Sequence, residues 1–390
     1  MAQLEVADVF RQFGPSYLEA FGERMLPSHR RAIRDIVACR TQVMGGHVFQ
    51  CDGCGETFYA YHGCRNRSCP ACHTGQTRRW LKARSAEILP CHYHHVCITV
   101  PSELRAAFRS NQRDCYSLLM KASAQAVLEL CADKRHMGAV PALMSVLHTW
   151  SAAMDYHPHV HLLVSGGGIG LDGKSWRESK STFLIPVRAL SQLVRGKFMA
   201  MLKKARPDIE AQIAAEAWKH EWVAWCKAWG KGQTAVLEYL GRYVHRIAIT
   251  NGRILAMDNE TVTFQYKARK AGEMRIRRLS GHEFMHRFLQ HVLPKGLHKV
   301  RYCGLWHASR RGQRQDLCHT MLLEEAQKAP PMQSPATASL PHAPGQEATA
   351  ETPNPPCPHC GSLATRCVGT TGNRHNAKQT RASPQAVVEK

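Results

Sequence analysis

The segment Tyr156-His157-Pro158-His159-Val160-His161-Leu162-Leu163-Val164 constrains the fold more than any other stretch. In a strand, residues i and i+2 point to the same face. His159 and His161 therefore share one face, and Val160 turns the other way, into the protein. Two neutral imidazoles at that spacing can hold one divalent ion. They can equally be two core or surface histidines in a chain that has 23 of them. Gly166 to Gly173 reads as a glycine-rich turn. It ends in Gly173-Lys174-Ser175, and it is read as a turn and not as the phosphate loop of a nucleotide triphosphatase because no helical pattern opens on that Lys-Ser.

The neighbouring elements give this strand a setting. His92 to Pro101 reads as a strand with a proline stop, Ser102 to Cys131 as helical, and Leu143 to Trp150 as a second strand. Strand, helix, strand, tight link and histidine strand in that order suit an antiparallel sheet with helices on one face, an α+β fold. Val187 to Trp229 reads as helical with a break near Pro207, and Trp218, Trp222, Trp225 and Trp229 as a packed helix face. Thr234 to Arg246 reads as a further helix. Tyr239 and Tyr243 stand one turn apart on it, so their hydroxyls can both reach one site, or the two rings can be a buried aromatic pair. Arg242 and Arg246 form a second row beside them. Hairpins are expected at Asn251-Gly252 and Asp258-Asn259, then a basic run from Lys267 to Lys270 and a helix from Gly281 to Leu293.

Of the 16 cysteines, six fall between Cys39 and Cys72. Cys51-Asp-Gly-Cys54 and Cys69-Pro-Ala-Cys72 are two knuckles, and four thiolates complete a closed tetrahedral zinc site. Cys64, His62 and His47 could each replace one ligand. No secretory signal opens the chain, so a reducing compartment is expected and metal is preferred to disulfides. Residues 329–356 hold eight of the 20 prolines and read as a disordered linker. Beyond it, Cys357-Pro-His-Cys360 with Cys367 looks like half a knuckle, with only His359 or His375 to complete it. The N-terminal residues 4–39 read as short helices broken at Gly14-Pro15 and Leu26-Pro27. The expected division is a helical and zinc-binding module over 1–90, a main domain over 91–310, a helix end and linker over 311–356, and a mostly disordered tail over 357–390.

Fifty-two Lys and Arg against 30 Asp and Glu give a net charge of +22. An excess of that size points to a polyanion, with nucleic acid ahead of an anionic membrane surface. No apolar run approaches the roughly 20 residues that span a bilayer. Arg65 and Arg67 in the cysteine-rich module, with Arg242, Arg246 and Lys267, are the expected nucleic-acid contacts, and the expected place of action is on DNA in the cytoplasm. A metal can polarise a scissile phosphate while a tyrosine attacks it, conserving the bond energy in a phosphotyrosine, so that rejoining needs no nucleotide triphosphate.

At these residues the sequence resembles the rolling-circle transposases of bacterial insertion sequences, members of the HUH (His, hydrophobic, His) endonuclease superfamily, in their two-tyrosine form. The resemblance runs from about Cys39 to Gly304. It is carried by the segment from Gly45 to Cys72, Ile98-Thr99-Val100-Pro101, the His-Pro-His-Val-His-Leu run, Tyr239-Leu-Gly-Arg-Tyr243 and His291-Val-Leu-Pro-Lys-Gly296. It implies that His159 and His161 bind Mg²⁺ or Mn²⁺ and that Tyr239 and Tyr243 are nucleophiles. It also implies a single-stranded DNA substrate, a 5′-phosphotyrosine intermediate and a free 3′-OH. For a third metal ligand Asp155, His157, His95, His245 and water all stay open. A non-catalytic zinc-dependent DNA-binding protein and a replication initiator of the same chemistry are the competing readings.

Overall fold

Alternating apolar residues build the central sheet. The computed structural model describes residues 3–72, 88–213, 215–219, 221–244, 246–268, 272–307, 317–318, 320–321 and 354–372. The chain opens with helices α1 (Val6–Phe21) and α2 (Pro27–Ala38), then strands β1 (Gly46–Cys51) and β2 (Thr57–Tyr61). Next come β3 (His92–Thr99), α3 (Gln112–Ala132), β4 (Ala139–Trp150), β5 (Tyr156–Gly170) and the short β6 (Trp176–Glu178). They are followed by α4 (Val187–Ala205), β7 (Val223–Lys231), α5 (Gly232–Tyr239), β8 (Ile254–Met257), β9 (Thr261–Lys267) and β10 (Met274–Ser280). Helix α6 (Gly281–Leu289), β11 (Val300–Gly304) and β12 (Thr365–Thr371) complete the described chain.

The main sheet has the order β11-β4-β5-β3-β7, with β6 on β5, and the pairings are antiparallel. One face carries Val96, Ile98, Leu143, Leu147, Val160 and Leu162, all buried under side chains of α3 and α4 such as Leu119, Val127, Val194 and Phe198. Each such side chain contributes about 1.5–3 kcal/mol relative to exposure. The alternate residues of the same strands are left for the other face. This is the expected α+β arrangement, with helices covering one side of an antiparallel sheet.

Several local expectations give way to tertiary structure. Gly166 to Gly170 continue β5 rather than turn, because neighbours press against a backbone without side chains. A Cβ on Gly167 would lie 2.4 Å from the Trp176 ring, and one on Gly168 2.2 Å from the Val140 carbonyl oxygen. The tryptophan stretch is a strand in its second half: β7 pairs with β3 from His92↔Lys231 to Thr99↔Val223. A spacing of four places two residues on one face of a strand as well as of a helix. The periodicity of Trp225 and Trp229 therefore does not separate the two, and hydrogen bonding to the open edge of β3 decides. Asn251-Gly252 makes a single helical turn instead of a hairpin. The Asn251 side chain is engaged at the start of α1, accepting from the Val6 N–H at 3.1 Å and donating to Glu5 at 3.0 Å. The turn at Asp258-Asn259 forms as expected, joining β8 to β9. Helix α1 runs through Pro15 without a break.

The boundary drawn near residue 90 does not divide the packing. Phe10, Phe13 and Ile36 of α1 and α2 share a core with Ile254, Phe264, Phe284 and Phe288. Nor is the region after residue 357 without structure, since Thr365–Thr371 pairs with β1 in a second sheet of order β12-β1-β2. Residues 76–87 of the helix expected to end at Leu89, His245, Arg269 and Lys270 lie outside the described residues. Among the described residues no helix is long and apolar enough to cross a membrane.

Candidate active site

Register decides which side chains meet on the face of the sheet away from α3 and α4. His159 lies opposite His148 of β4, and His161 opposite Cys97 of β3. Val160 and Leu147 point to the helical core, so His159, His161 and His148 point away from it. One nitrogen from each of the three lies within 4.8 Å of the other two. His148 was not singled out in the sequence, and the reason is a bulge. Trp150 pairs with Tyr156, and an irregularity in the ladder then brings His148 opposite His159 instead of Pro158. A one-residue shift of that kind leaves no mark in the sequence.

The hydrogen bonds around the rings show which nitrogen of His159 and of His148 carries the proton. A carbonyl oxygen can only accept, so the ring nitrogen facing it carries the proton. His159 Nδ1 donates to the His157 carbonyl at 2.6 Å, and His148 Nε2 donates to the Tyr243 carbonyl at 2.6 Å. His161 Nδ1 is 2.9 Å from His95 Nε2. With those protons placed, His159 Nε2 and His148 Nδ1 are the nitrogens able to coordinate, together with one ring nitrogen of His161. A ring fixed by a second hydrogen bond through its other nitrogen is the usual state of a metal-binding histidine. Burial pushes His148 and His161 well below the ordinary value of 6.5, and the neighbouring imidazoles add to it. Both are neutral and able to coordinate.

The other residues considered as third ligand do different work. Asp155 is bound to Arg277 at 2.9 Å and to Arg287, outside the histidine cluster. His157 presents Nδ1 to Arg105 at 3.0 Å and its carbonyl to His159. His95 orients His161. His245 lies outside the described residues.

The two tyrosines are not equivalent. α5 ends at Tyr239, and Leu240–Val244 form one π-helical turn, the wider turn that recurs at functional sites. Tyr243 lines a cleft of about 820 Å³ together with His148, His159 and His161, and its ring centroid is 4.2 Å from that of His161. Tyr239 lies behind it, fully buried between His95, Trp229 and Tyr243 at centroid distances of 5.3, 5.7 and 4.8 Å. Its hydroxyl has no hydrogen-bond partner among the described residues, and burial makes it a weaker acid, with its pKa well above the ordinary 10. In this conformation only Tyr243 faces the cleft.

The cleft is built for an anion. Arg246, Arg253 and Lys267 line it, and none of the described lining residues is acidic. Burial lowers Arg253 to about 10 without discharging it at neutral pH. Arg65 is exposed on the cysteine-rich module, and the Arg242 side chain lies outside the described residues. Arg67 turns inward. Its Nη1 donates to the Leu297 carbonyl at 2.6 Å, and its Nη2 to those of Leu293 and Pro294 at 2.7 Å. The expected contact to nucleic acid is replaced by a clamp between the N-terminal module and the loop after α6. Arg67→Ala is expected to lower stability by roughly 2–4 kcal/mol, read as a fall in the urea midpoint. Unchanged stability with weakened DNA binding would return Arg67 to the nucleic-acid surface.

Buried neutral histidines also set a pH dependence. Burial holds His94 and His291 at about 4 against the ordinary 6.5. Below about pH 6.5 the unfolded chain takes up protons that the folded chain refuses. Each such group then removes about 1.4 kcal/mol per pH unit until its folded value is reached. The urea midpoint should therefore be level above about pH 7 and fall between about pH 6.5 and 4. A midpoint that stays level over that range would show these groups to be solvated.

The cysteines divide differently from the expected single site. Cys69 and Cys72 group with Cys39 and Cys64, whereas Cys51 and Cys54 group with Cys357 and Cys360. In the first group Sγ–Sγ distances are 3.5 Å for Cys39–Cys72, 3.6 Å for Cys39–Cys69 and 3.7 Å for Cys64–Cys72. A tetrahedron with zinc–sulfur bonds of about 2.3 Å has edges of about 3.8 Å, so the thiols already stand at the spacing of zinc ligands. Backbone N–H groups of Cys64 and Asn66 point at Cys39 and Cys64 Sγ, as suits thiolates.

Residues 143–314 match a family model described as "Putative transposase", and residues 9–100 match one described as "Transposase zinc-binding domain". The chain is 38% identical over 335 residues to "Putative transposase y4qJ" of Sinorhizobium fredii (strain NBRC 101917 / NGR234), covering 82% of this chain and 84% of that protein. It is 26% identical over 288 residues to the transposase for insertion sequence element IS801 of Pseudomonas savastanoi pv. phaseolicola, covering 70% and 68%. No solved structure matches it. The chain therefore belongs to the IS91/IS801 family of insertion-sequence transposases, and carries that family's zinc-binding domain at its N-terminal end.

Proposed function

We propose that this transposase nicks and rejoins single-stranded DNA by rolling-circle chemistry, with Tyr243 as the first nucleophile. The observation that carries this reading is the position of Tyr243, packed against His161 in a basic cleft that also holds His148 and His159. The Tyr243 hydroxyl oxygen attacks the scissile phosphorus and loses its proton. The bond to the 3′ oxygen breaks, and that oxygen takes up a proton and leaves as a free 3′-OH. The DNA 5′ end stays on the enzyme as a phosphotyrosine. A 3′-OH attacking that phosphorus reverses the step, so rejoining needs no nucleotide triphosphate.

His148, His159 and His161 would hold a divalent ion, which when bound supplies Lewis-acid polarisation of the scissile phosphate. Three imidazoles suit Mn²⁺ better than Mg²⁺, which prefers oxygen ligands and retained water. Arg246 and Lys267 would track the DNA backbone, and Trp225 and Trp229 pack against His95, which in turn holds the His161 ring. Cys39, Cys64, Cys69 and Cys72 would bind a structural zinc that fixes Arg67 against the main domain.

The test is incubation with single-stranded DNA carrying the element's own end, with Mn²⁺ added after chelation. A metal-dependent covalent adduct is expected, and it should vanish in His159→Ala/His161→Ala. DNA binding with no adduct under any metal would favour a non-catalytic DNA-binding protein.

A further inference from the structure

Two short stretches far apart in the chain are built alike. They are Cys51-Asp-Gly-Cys54-Gly55 and Cys357-Pro-His-Cys360-Gly361. In each, the glycine after the second cysteine has positive φ, +76° at Gly55 and +74° at Gly361, a conformation open to glycine at little cost. In each, that glycine's N–H donates to the carbonyl of the first cysteine, at 2.9 Å in both. The N–H of the first cysteine donates to the carbonyl five residues on, Glu56 or Ser362, again at 2.9 Å in both. These are two knuckles of one design, and they face each other. Cys51 Sγ is 3.6 Å from Cys360 Sγ, and Cys54 Sγ is 3.7 Å from Cys357 Sγ. All four sulfurs lie within 4.8 Å of one another.

We infer that Cys51, Cys54, Cys357 and Cys360 bind a second zinc ion, and that this metal clasps the C-terminal segment onto the N-terminal sheet. The spacing matches the roughly 3.8 Å edge of a zinc–thiolate tetrahedron. The Gly53 N–H points at Cys51 Sγ at 3.3 Å, a donor suited to a thiolate. The backbone is already arranged around the closed site: β12 pairs with β1 from Gly46↔Thr371 to Cys51↔Thr365. Among the described residues the apolar centre of this sheet is Phe49, Phe58, Cys51 and Cys357, with Ala60 against them. A core that small does not hold a segment by burial alone, and such modules are completed by metal. Both regions that match transposase families end before Cys357. Cys51 and Cys54 lie inside the matched zinc-binding region, so the clasp joins that module to a segment outside both matches.

The site is tested on the full chain. Loaded with Co²⁺, the wild-type protein should show thiolate-to-cobalt charge transfer from two four-cysteine sites. Cys357→Ser/Cys360→Ser should halve that absorption and lose one zinc per chain, while the histidine cluster, which has no thiolate, does not contribute. Cys360→His should keep the zinc, which separates ligand loss from misfolding. With a protease site introduced between residues 329 and 356, cleavage should leave the C-terminal fragment bound until zinc is chelated. Unchanged cobalt absorption in the double variant, release of the fragment with zinc present, or its retention after chelation would each overturn the clasp.

Discussion

Tyr243→Phe should abolish covalent adduct formation on single-stranded DNA, by about 10³-fold or more, since the attacking oxygen is removed from the ring that packs on His161. The substitution removes one oxygen from a side chain half-exposed in the cleft and leaves the ring against His161, so stability and DNA affinity should change little. Tyr239→Phe should behave differently in the first nicking step. The Tyr239 hydroxyl is buried without a hydrogen-bond partner among the described residues. Its removal eliminates an unsatisfied polar group and should leave stability unchanged or raise it by about 1 kcal/mol. First-strand nicking should persist within a few-fold. A role for Tyr239 in a later step requires the segment from α5 through the π-helical turn to rotate. That variant should therefore lose activity in a complete strand-transfer assay and not in single nicking. Equal loss of nicking in both variants would show that the two tyrosines exchange places before chemistry.

The second large effect is expected at the first cysteine group. Cys72→Ser should remove one of four thiolates around a site whose metal contributes on the order of 10 kcal/mol to folding in small zinc modules. Cys39 and Cys69 also sit in the core shared by α1, α2 and Phe284. Loss of the metal should spread through that core and through the Arg67 clamp. The expected result is one zinc fewer per chain, a thermal midpoint lower by ten degrees or more on a rough scale, and fast amide exchange over residues 64–72. A variant that keeps its zinc and its midpoint would show that Cys39, Cys64 and Cys69 suffice with another ligand.

How much of this was legible in the sequence varies by residue. The alternation of His159, Val160 and His161 is a purely local property of a strand, and the faces it assigns are the faces observed. His148 was hidden because its place opposite His159 depends on a bulge in the β4–β5 ladder. Tyr243 and Tyr239 were legible as a pair, but the π-helical turn that separates their environments has no signature in Tyr239-Leu-Gly-Arg-Tyr243. The cysteines illustrate a choice between two regularities. The fourteen-residue spacing of the two nearer knuckles suggested one site, whereas the glycine after the second cysteine marks Cys54 and Cys360 as like with like. Cys72 is followed by His73 and lacks that glycine. Sequence distance favoured the wrong partner, and turn chemistry favoured the right one. Arg67 looked like any arginine of a basic module, and only the three carbonyls that converge on it show that it points inward.

The chain's own cleavage pattern offers the most direct test of the nucleophile. Trypsin cuts after Arg242, which places Tyr239 in the peptide Gly232–Arg242 and Tyr243 in the peptide Tyr243–Arg246. The wild-type enzyme would be trapped on single-stranded DNA with Mn²⁺, digested with nuclease and trypsin, and the nucleotide remnant located by mass spectrometry. The geometry predicts the remnant on Tyr243 after a single nick. A remnant found on Tyr239 alone, or on neither peptide, would contradict it.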